Sequence, residues 1–369
     1  MNGNIIRAFY RSRRLLNLFK QELKQKCNGA EGIFMLKKIT IKEIAEDCGV
    51  SLATTSRVLS GSDYPVNAAT REKIMNSAKK LGYVPNSYAR SLRAGSNEIA
   101  VVIPTLSNPF YTSLVSGFEA AVSAEKRSLV LYAGSSRESV IESIAGRCPK
   151  GVLVAAPDMY EDFEKNASKF KDTKIILADC PSPQKKFSSV CFDYKKGTFM
   201  GTDYLIKSGH RDIMYIGMPI DRDSRQFRID GFNQALLTAG INCEGRVVSA
   251  ENYKGDESLI DAGEHLAASI FSRGLRPTAI AAMNDMMAFG VLRYLSRSHI
   301  QVPEEVSVIG FDDNIFCDAA NPPLTTIKVP DVQMGKMAGM LMLNEAGSET
   351  VNLFVEPVLI ERDSVGKRL

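Results

Sequence analysis

Between Thr40 and Leu59 the chain reads TIKEIAEDCGVSLATTSRVL, and few backbones satisfy everything these residues ask for. Ile41, Ile44, Ala45 and Cys48 recur at i, i+3, i+4 and i+7, which puts them on one apolar face of a short helix. Thr40 is placed to cap that helix, with Glu43 three residues on as the reciprocal partner of a capping box. Gly49 follows, a residue able to leave the helix at positive φ. Ser51 offers a second cap, Val58 and Leu59 supply the apolar face of the next helix, and Ala45 is small where two helices must approach closely. The pattern predicts two short helices meeting at a sharp turn.

In such a pair the second helix is the one that enters a DNA major groove, N-terminal residues first. Leu52, Ala53 and Thr54 then face base edges, and Arg57, one turn on, reaches a guanine or a phosphate. Leu52 and Ala53 cannot hydrogen-bond bases, so their contribution is apolar contact with thymine methyls. Thr55 falls where a core residue is needed; its shape is close to valine and its hydroxyl can bond back to the helix backbone. A third helix is expected over 70–81, with Ile74, Ala78 and Leu81 as its buried stripe and Gly82 as its C-terminal stop. Beyond it, an extended stretch through Pro85 leads to one more short helix, capped by Asn86 or Ser87 and closed by Ala94-Gly95-Ser96.

Charge supports this reading. The net charge of +4 is unevenly spread: residues 35–96 carry ten basic and five acidic side chains, residues 1–34 seven and two, so the rest of the chain is acidic. A basic end on an acidic body suits a polyanion-binding head on a solvated domain.

The blocks IKEIAEDCGVSLATTSRVL, TREKI, LGYVPN and ARSLR resemble, in order and spacing, the DNA-binding head of LacI/GalR-family bacterial transcription regulators. The resemblance implies that Ala89 to Arg93 is a hinge helix, folding against its dimer mate in the minor groove. It also matches Leu92 to the wedge leucine that kinks the operator. The expected DNA contacts are therefore Thr40, Ser51, Leu52, Ala53, Thr54, Ser56, Arg57, Asn86, Ala89, Leu92 and Arg93.

From Glu98 onward, short apolar runs alternate with helical patterns. The runs at 99–103, 129–131, 151–154, 174–177, 212–217, 278–282 and 306–311 read as strands buried on both faces, and 112–126, 195–208 and 286–298 as helices. This alternation argues parallel sheets with helices on both sides, and a body of this length exceeds one comfortable core. No phosphate loop, GxGxxG motif or catalytic pattern follows a strand, so neither a catalytic residue nor a cofactor is expected. Seven Cys without a CxxC and three scattered His argue against a disulfide framework and a metal site. No apolar run is long enough to span a membrane, and a reducing, cytoplasmic setting fits the cysteine usage.

The resemblance extends through this body in IPTLSNPFY, YLIKSGHRDI, FRIDGF, RPTAIAAMND, VPEEVSVIGFDD, PPLTTIKVP and LIERDSV. It implies a periplasmic-binding-protein-like core of two doubly wound α/β lobes, joined by three crossovers around a ligand cleft, behind the all-α helix-turn-helix head. Ligands of open sheets bind at the carboxyl ends of strands, where Asn108, Phe110, Tyr111, Arg222, Ser224, Arg228, Asn284 and Asp285 gather. Arg228 and Asp285 match the family's ligand-binding arginine and aspartate, a pair suited to a polyhydroxylated ligand; the alternative is a structural ion pair. Phe110 or Tyr111 could stack on a ring. Arg222 and Ser224 fall where purine-responsive relatives make base contacts, which keeps nucleobases open. Tyr253, Asn108 and Asp312 divide evenly between ligand contact and a structural role.

The expected organisation is an extra basic segment at 1–34, a helix-turn-helix domain at 35–84, a hinge and linker at 85–96, and an effector-binding and dimerisation domain at 97–369. Within the last, 97–193 with 303–329 is assigned to one lobe and 194–302 with 330–369 to the other. The 1–34 segment reads as a basic amphipathic helix, or as an over-extended start before Met35, since Glu31-Gly32 can be encoded by a purine-rich ribosome-binding sequence. The chain stops directly after LIERDSV with no heptad segment, which favours a homodimer over a tetramer. The expected partners are operator DNA and a small effector, a sugar or sugar derivative, with no membrane. A transporter's solute-binding protein would share the body but have no use for the 40–59 pattern.

Overall fold

The computed structural model describes residues 39–60, 64–83, 97–125, 127–134, 137–179, 186–220, 223–251, 258–344 and 349–368, in two compact units, 39–83 and 97–368. The residues of the 1–34 segment and of the hinge and linker at 85–96 lie outside this set.

The first unit is three helices: α1 (Ile41–Cys48), α2 (Leu52–Leu59) and α3 (Ala68–Lys80). The Thr40 side chain accepts from the Glu43 N–H, and the Glu43 carboxylate accepts from the Thr40 N–H at 2.8 Å, so the expected capping box is complete. Gly49 ends α1 at φ 61°, and Ser51 caps α2 by accepting from the Thr54 N–H at 3.0 Å. Ile44, Cys48, Val58, Ile74 and Ala78 form the core. Ile44 and Ile74 are fully buried, each a gain of about 2 kcal/mol over exposure. Thr55 is fully buried and its hydroxyl donates to the Ser51 carbonyl at 3.1 Å, so the polar atom in this core is satisfied within its own helix. α3 begins at Ala68, earlier than expected, because Asn67 caps it by accepting from the Ala69 N–H.

The second unit contains two six-stranded sheets. The first, in the N-lobe, runs β11-β5-β4-β3-β1-β2, built from β1 (Glu98–Ile103), β2 (Ser128–Ala133), β3 (Gly151–Val154), β4 (Lys174–Asp179), β5 (Ser188–Phe192) and β11 (Asn352–Val355), all parallel. The C-lobe sheet runs β12-β10-β9-β8-β6-β7, from β6 (Ile213–Gly217), β7 (Val247–Ser249), β8 (Ala279–Ala282), β9 (Ser307–Asp312), β10 (Thr325–Lys328) and β12 (Val358–Ile360). Only β12 is antiparallel to its neighbour in these described strands. The helices on the sheets include α4 (Pro109–Val122), α5 (Arg137–Arg147), α6 (Tyr160–Lys165), α7 (Tyr194–Lys207), α8 (Asp223–Thr238), α9 (Leu259–Ser272), α10 (Asp285–Arg297) and α11 (Asp331–Leu343).

Every strand expected from an apolar run is present, with two corrections. β2 is not buried on both faces: it is the edge strand, and Leu131 is 43% exposed. The lobe assignment of residues 303–355 is reversed. Residues 303–329 carry β9 and β10 in the C-lobe sheet, because β9 follows β8 through α10 and pairs beside it in parallel. α11 instead packs on α4, and β11 adds to the N-lobe sheet beyond β5, so 331–355 is N-lobe and only β12 onward returns. The chain therefore crosses between lobes three times: at Asp193, at residues 329–330 and at residues 356–357.

Candidate DNA-reading helix and ligand cleft

In the head, Ser51, Leu52, Ala53 and Arg57 are exposed on α2, and Thr54 and Ser56 are half-buried. Leu52 is 54% exposed although it is a large apolar residue at the tip of a helix, where no core contact holds it. Thr40 and Ser51 have their side-chain oxygens engaged in capping, and Ser51 Oγ also lies 2.8 Å from Thr54 Oγ1. Their local role is to set where the two helices begin. Arg57 lies over the ring of Tyr64, 4.1 Å from its centre, an exposed cation–π pair. Asn86, Ala89, Leu92 and Arg93 lie outside the described residues.

In the second unit, a cavity is lined by Asn108, Phe110, Tyr111, Asp179, Tyr194, Ser224, Arg225, Arg228, Met283, Asn284 and Asp312. Both lobes contribute, at the carboxyl ends of their strands, as open parallel sheets require. Six expected residues, Asn108, Phe110, Tyr111, Ser224, Arg228 and Asn284, are brought together here. Asn108 and Asn284 do the same job in each lobe, capping the helix that leaves the strand: Asn108 accepts from the Phe110 N–H and Asn284 from the Met287 N–H.

Arg228 is the centre of the site. It projects from α8, is 9% exposed, and stacks on Tyr194 and Phe311 at 3.9 and 4.8 Å from their ring centres. Its Nε has no hydrogen-bond partner among the described residues, and the contact its Nη1 makes with the Ser224 carbonyl is long at 3.4 Å. A buried guanidinium with an open donor is costly unless something accepts from it. The aromatic group beneath it is shared between lobes, since Phe192 ends β5, Tyr194 opens α7 and Phe311 lies on β9, with ring centres 5.2–5.9 Å apart.

Asp285 is not where it was expected. It is fully buried and does not line the cavity. One carboxylate oxygen accepts from the Thr326 hydroxyl at 2.6 Å; the other accepts from the Asn314 N–H at 2.8 Å and the Cys317 thiol at 3.2 Å. Three donors turn it away from the cleft into the joint between α10, β10 and the loop after β9, so it is a structural tie. Burial raises its pKa to about 6. Arg222 and Tyr253 lie outside the described residues.

Asp179, Tyr194, Arg225 and Met283 line the cavity without having been singled out in the sequence, and Asp312, there left open, joins them. Asp179 and Asp312 have φ of 112° and 114°, a region that non-glycine residues rarely occupy, at a cost of about 1–3 kcal/mol each. The pKa of Asp312 is raised by burial first, then by Asp285, with Asp331 and Asp179 adding to it and Arg228 opposing. The neighbouring Asp313 is committed elsewhere, paired with Lys328 and Arg362 at 2.9 and 2.7 Å. His210 is buried between Thr278 Oγ1 and the Gly366 carbonyl, a packing role. No cluster of metal-ligating side chains occurs among the described residues.

Comparison with known proteins gives two matching family models: residues 40–86 match bacterial regulatory proteins of the lacI family, and residues 202–365 match a periplasmic binding protein-like domain. The chain is 29% identical over 336 residues to an HTH-type transcriptional repressor PurR of Vibrio vulnificus (strain CMCP6), covering 89% of this chain and 99% of that one. It is also 29% identical over 333 residues to the ribose operon repressor of Escherichia coli (strain K12), covering 88% and 99%. Among solved structures, the lac repressor dimer bound to operator and the anti-inducer ONPF superimposes with a TM-score of 0.72 at 25% identity. That match covers 89% of this chain and all of the other.

Proposed function

The chain belongs to the LacI family of bacterial regulatory proteins, and on that premise we propose that it is a homodimeric repressor whose operator affinity is set by a sugar or sugar derivative in the cleft. It is a sequence-specific DNA-binding transcription regulator and not an enzyme. The observation that carries the effector reading is Arg228: a buried guanidinium with an unmet donor, at the carboxyl ends of the strands, facing polar side chains from both lobes. Hydroxyls of a polyol supply the acceptors it lacks and the donors that Asp179, Asp312, Asn108 and Asn284 can use.

The DNA contacts we assign to α2 are Leu52, Ala53, Thr54, Ser56 and Arg57, with Thr40 and Ser51 holding the helix ends; Asn86, Ala89, Leu92 and Arg93 complete the set in the hinge. A ligand in the cleft shifts the balance between lobe arrangements by binding one better than the other, which decides whether two hinges can pair on DNA. The lac repressor structure, a dimer on its operator, supports this assembly for a relative that covers most of the chain. We place the protein in the cytoplasm, where its DNA target is; no helix among the described residues is long and apolar enough to cross a membrane.

A nucleobase-responsive repressor is the second reading, favoured by the likeness to the PurR repressor. Selection of genomic fragments by the purified full chain, then salt-titrated gel shifts with and without sugars, sugar phosphates and purines, tests both. A preferred site whose affinity changes with one ligand class is expected. Binding no tighter to any genomic fragment than to random duplex, with or without ligands, overturns the proposal.

A further inference from the structure

The N-lobe sheet is parallel throughout, so its strands all start at one edge, and the chain coming from the head enters there, at β1. Main-chain bonds carry this edge across the sheet as a row. The Ser128 N–H donates to the Asn97 carbonyl, the Lys150 N–H to the Glu98 carbonyl and the Lys174 N–H to the Lys150 carbonyl, at 3.2, 2.9 and 3.3 Å. Four strands of the row begin with a cation: Arg127 before β2, Lys150 before β3, Lys174 opening β4 and Lys186 before β5. At about 4.8 Å per strand, the row from β2 to β5 is about 19 Å long. Lys169 and Lys171 flank the buried Phe170 in the turn before β4, and the Thr173 hydroxyl ties that turn to the Pro149 carbonyl, beside Lys150, at 3.0 Å.

Taking the chain as the DNA-binding repressor proposed above, we infer that this cationic edge of the effector domain is a second DNA contact. It holds the phosphate backbone beside the site that the head reads, whatever the base sequence there.

Residues 97–369 carry net negative charge, which turns a polyanion away from most of the domain. At this edge the balance is inverted. Among the described residues leading into the strands, seven cations stand against Glu98, Glu125, Asp172 and Glu349. Glu98 is neutralised by Arg147 at 2.9 Å.

Cations also gather where helices end, to meet the last carbonyls, and Lys174 does so at the Asn344 carbonyl behind α11. Lys150, Lys169 and Lys171 have no such employment: they are exposed, and their ammonium groups make no hydrogen bond or ion pair among the described residues. An ammonium on a flexible stem meets a phosphate as a point charge, without demanding one geometry. The strand-start edge of the C-lobe differs. Its guanidiniums are tied down, Arg246 to Asp212 at 3.1 Å and Arg276 to the Phe271 and Leu275 carbonyls at 2.9 and 2.8 Å.

The head is tethered to the cationic edge. From Tyr83 to Asn97 the chain advances 14 residues, at most about 50 Å of extended backbone. A row about 19 Å long spans about five phosphates of one strand, at about 3.4 Å of helix axis each.

The test compares two triple variants of the full chain with the wild type, in salt-titrated gel shifts on a selected genomic fragment and on random duplex. Lys150→Gln/Lys169→Gln/Lys171→Gln removes three charges from the proposed contact. Arg211→Gln/Arg273→Gln/Lys367→Gln removes three exposed charges from the C-lobe. Thermal melts report folding, and the Lys150→Gln and Lys171→Gln single variants carry the comparison if the first triple variant does not fold. The first variant should bind both DNAs about tenfold more weakly at about 0.1 M salt and keep its preference for the selected fragment. Its slope of log affinity against log salt should become shallower by at least about one. The second variant should match the wild type. An unchanged slope in the first variant overturns the inference, as does an equal fall in both variants or a loss confined to the selected fragment. A wild type that prefers no genomic fragment removes the repressor reading itself, whereas preference retained with an unchanged slope removes only this inference.

Discussion

The guanidinium of Arg228 lies 3.9 Å from the centre of the Tyr194 ring, and this stack joins the ligand-facing side chain to the first crossover between the lobes. Tyr194 is 3% exposed and follows directly on Asp193, where the chain leaves the N-lobe sheet for α7. A change in what Arg228 holds is therefore felt at a hinge, through a contact of about 1–2 kcal/mol in a desolvated setting.

Tyr194→Leu stays apolar and removes the quadrupole under the guanidinium, at the expense of some buried volume beside Phe192 and Phe311. Effector affinity should fall by about tenfold, measured by titration calorimetry on protein whose folding is checked by thermal unfolding, where a lower melting temperature reports the lost core volume. An unchanged affinity would mean that the stack does not position Arg228.

Asp285 makes stability depend on pH. Burial raises its pKa from 3.8 to about 6, so the folded chain binds the proton more tightly than the unfolded chain does. This contribution is fully present below about pH 4 and is lost as pH rises through about 6. Asp312, raised by burial and by Asp285, contributes with the same sign. Asp285→Asn should therefore gain on the wild type by on the order of 2 kcal/mol between pH 4 and pH 7, whatever its offset from lost hydrogen bonds. Urea unfolding at several pH values reads the trend, and parallel curves for the two proteins would refute it.

Gly310 explains how β9 comes so close to that carboxylate. A Cβ there would sit 2.3 Å from Asp285 Oδ1 and 2.9 Å from Leu324 Cδ2. Because the carboxylate is pinned by three donors and cannot swing aside, Gly310→Ala should cost about 2–3 kcal/mol in urea unfolding. Wild-type stability in this variant would show that Asp285 is looser than its hydrogen bonds imply.

In the head, Thr40→Ala removes half of the capping box and should destabilise the three-helix unit by about 1 kcal/mol. Hydrogen exchange of α1 amides localises the effect. Loss confined to the second unit would be the contrary result.

Arg57 is exposed on α2 and held over Tyr64. If it meets a phosphate, Arg57→Ala should lower the salt slope of operator binding by about one and weaken all sequences alike. If it meets a guanine, preference at one operator position should relax instead. Retention of both affinity and preference would remove Arg57 from the interface.

Local rules made the head legible: the cap at Thr40, the turn at Gly49 and the face of Ile44 and Cys48 are each set by neighbours a few residues away. The strands that end at Ile103 and Ala282 were equally plain, since burial on both faces leaves an unbroken apolar run. β10, β11 and β12 were not, because each is only three or four residues long; β11 also gains its place by pairing with β5, far away in sequence, a non-local pairing the lobe assignment of 331–355 missed. In the cleft, Arg228 and the two asparagines could be found from strand ends. Asp179 was missed although KIILAD and VIGFD share a signal, an acidic residue closing an apolar strand. Asp285 was misplaced because sequence shows that a carboxylate follows β8 but not which way its three donors turn it.

Three covalent links, at Asp193, at 329–330 and at 356–357, leave the lobes little freedom to slide or separate. What remains is close to a single rotation. Any molecule that fits the cleft must act through that one coordinate, so side chains on the cleft wall can be exchanged for a new chemical signal while the mechanical output of the domain stays the same.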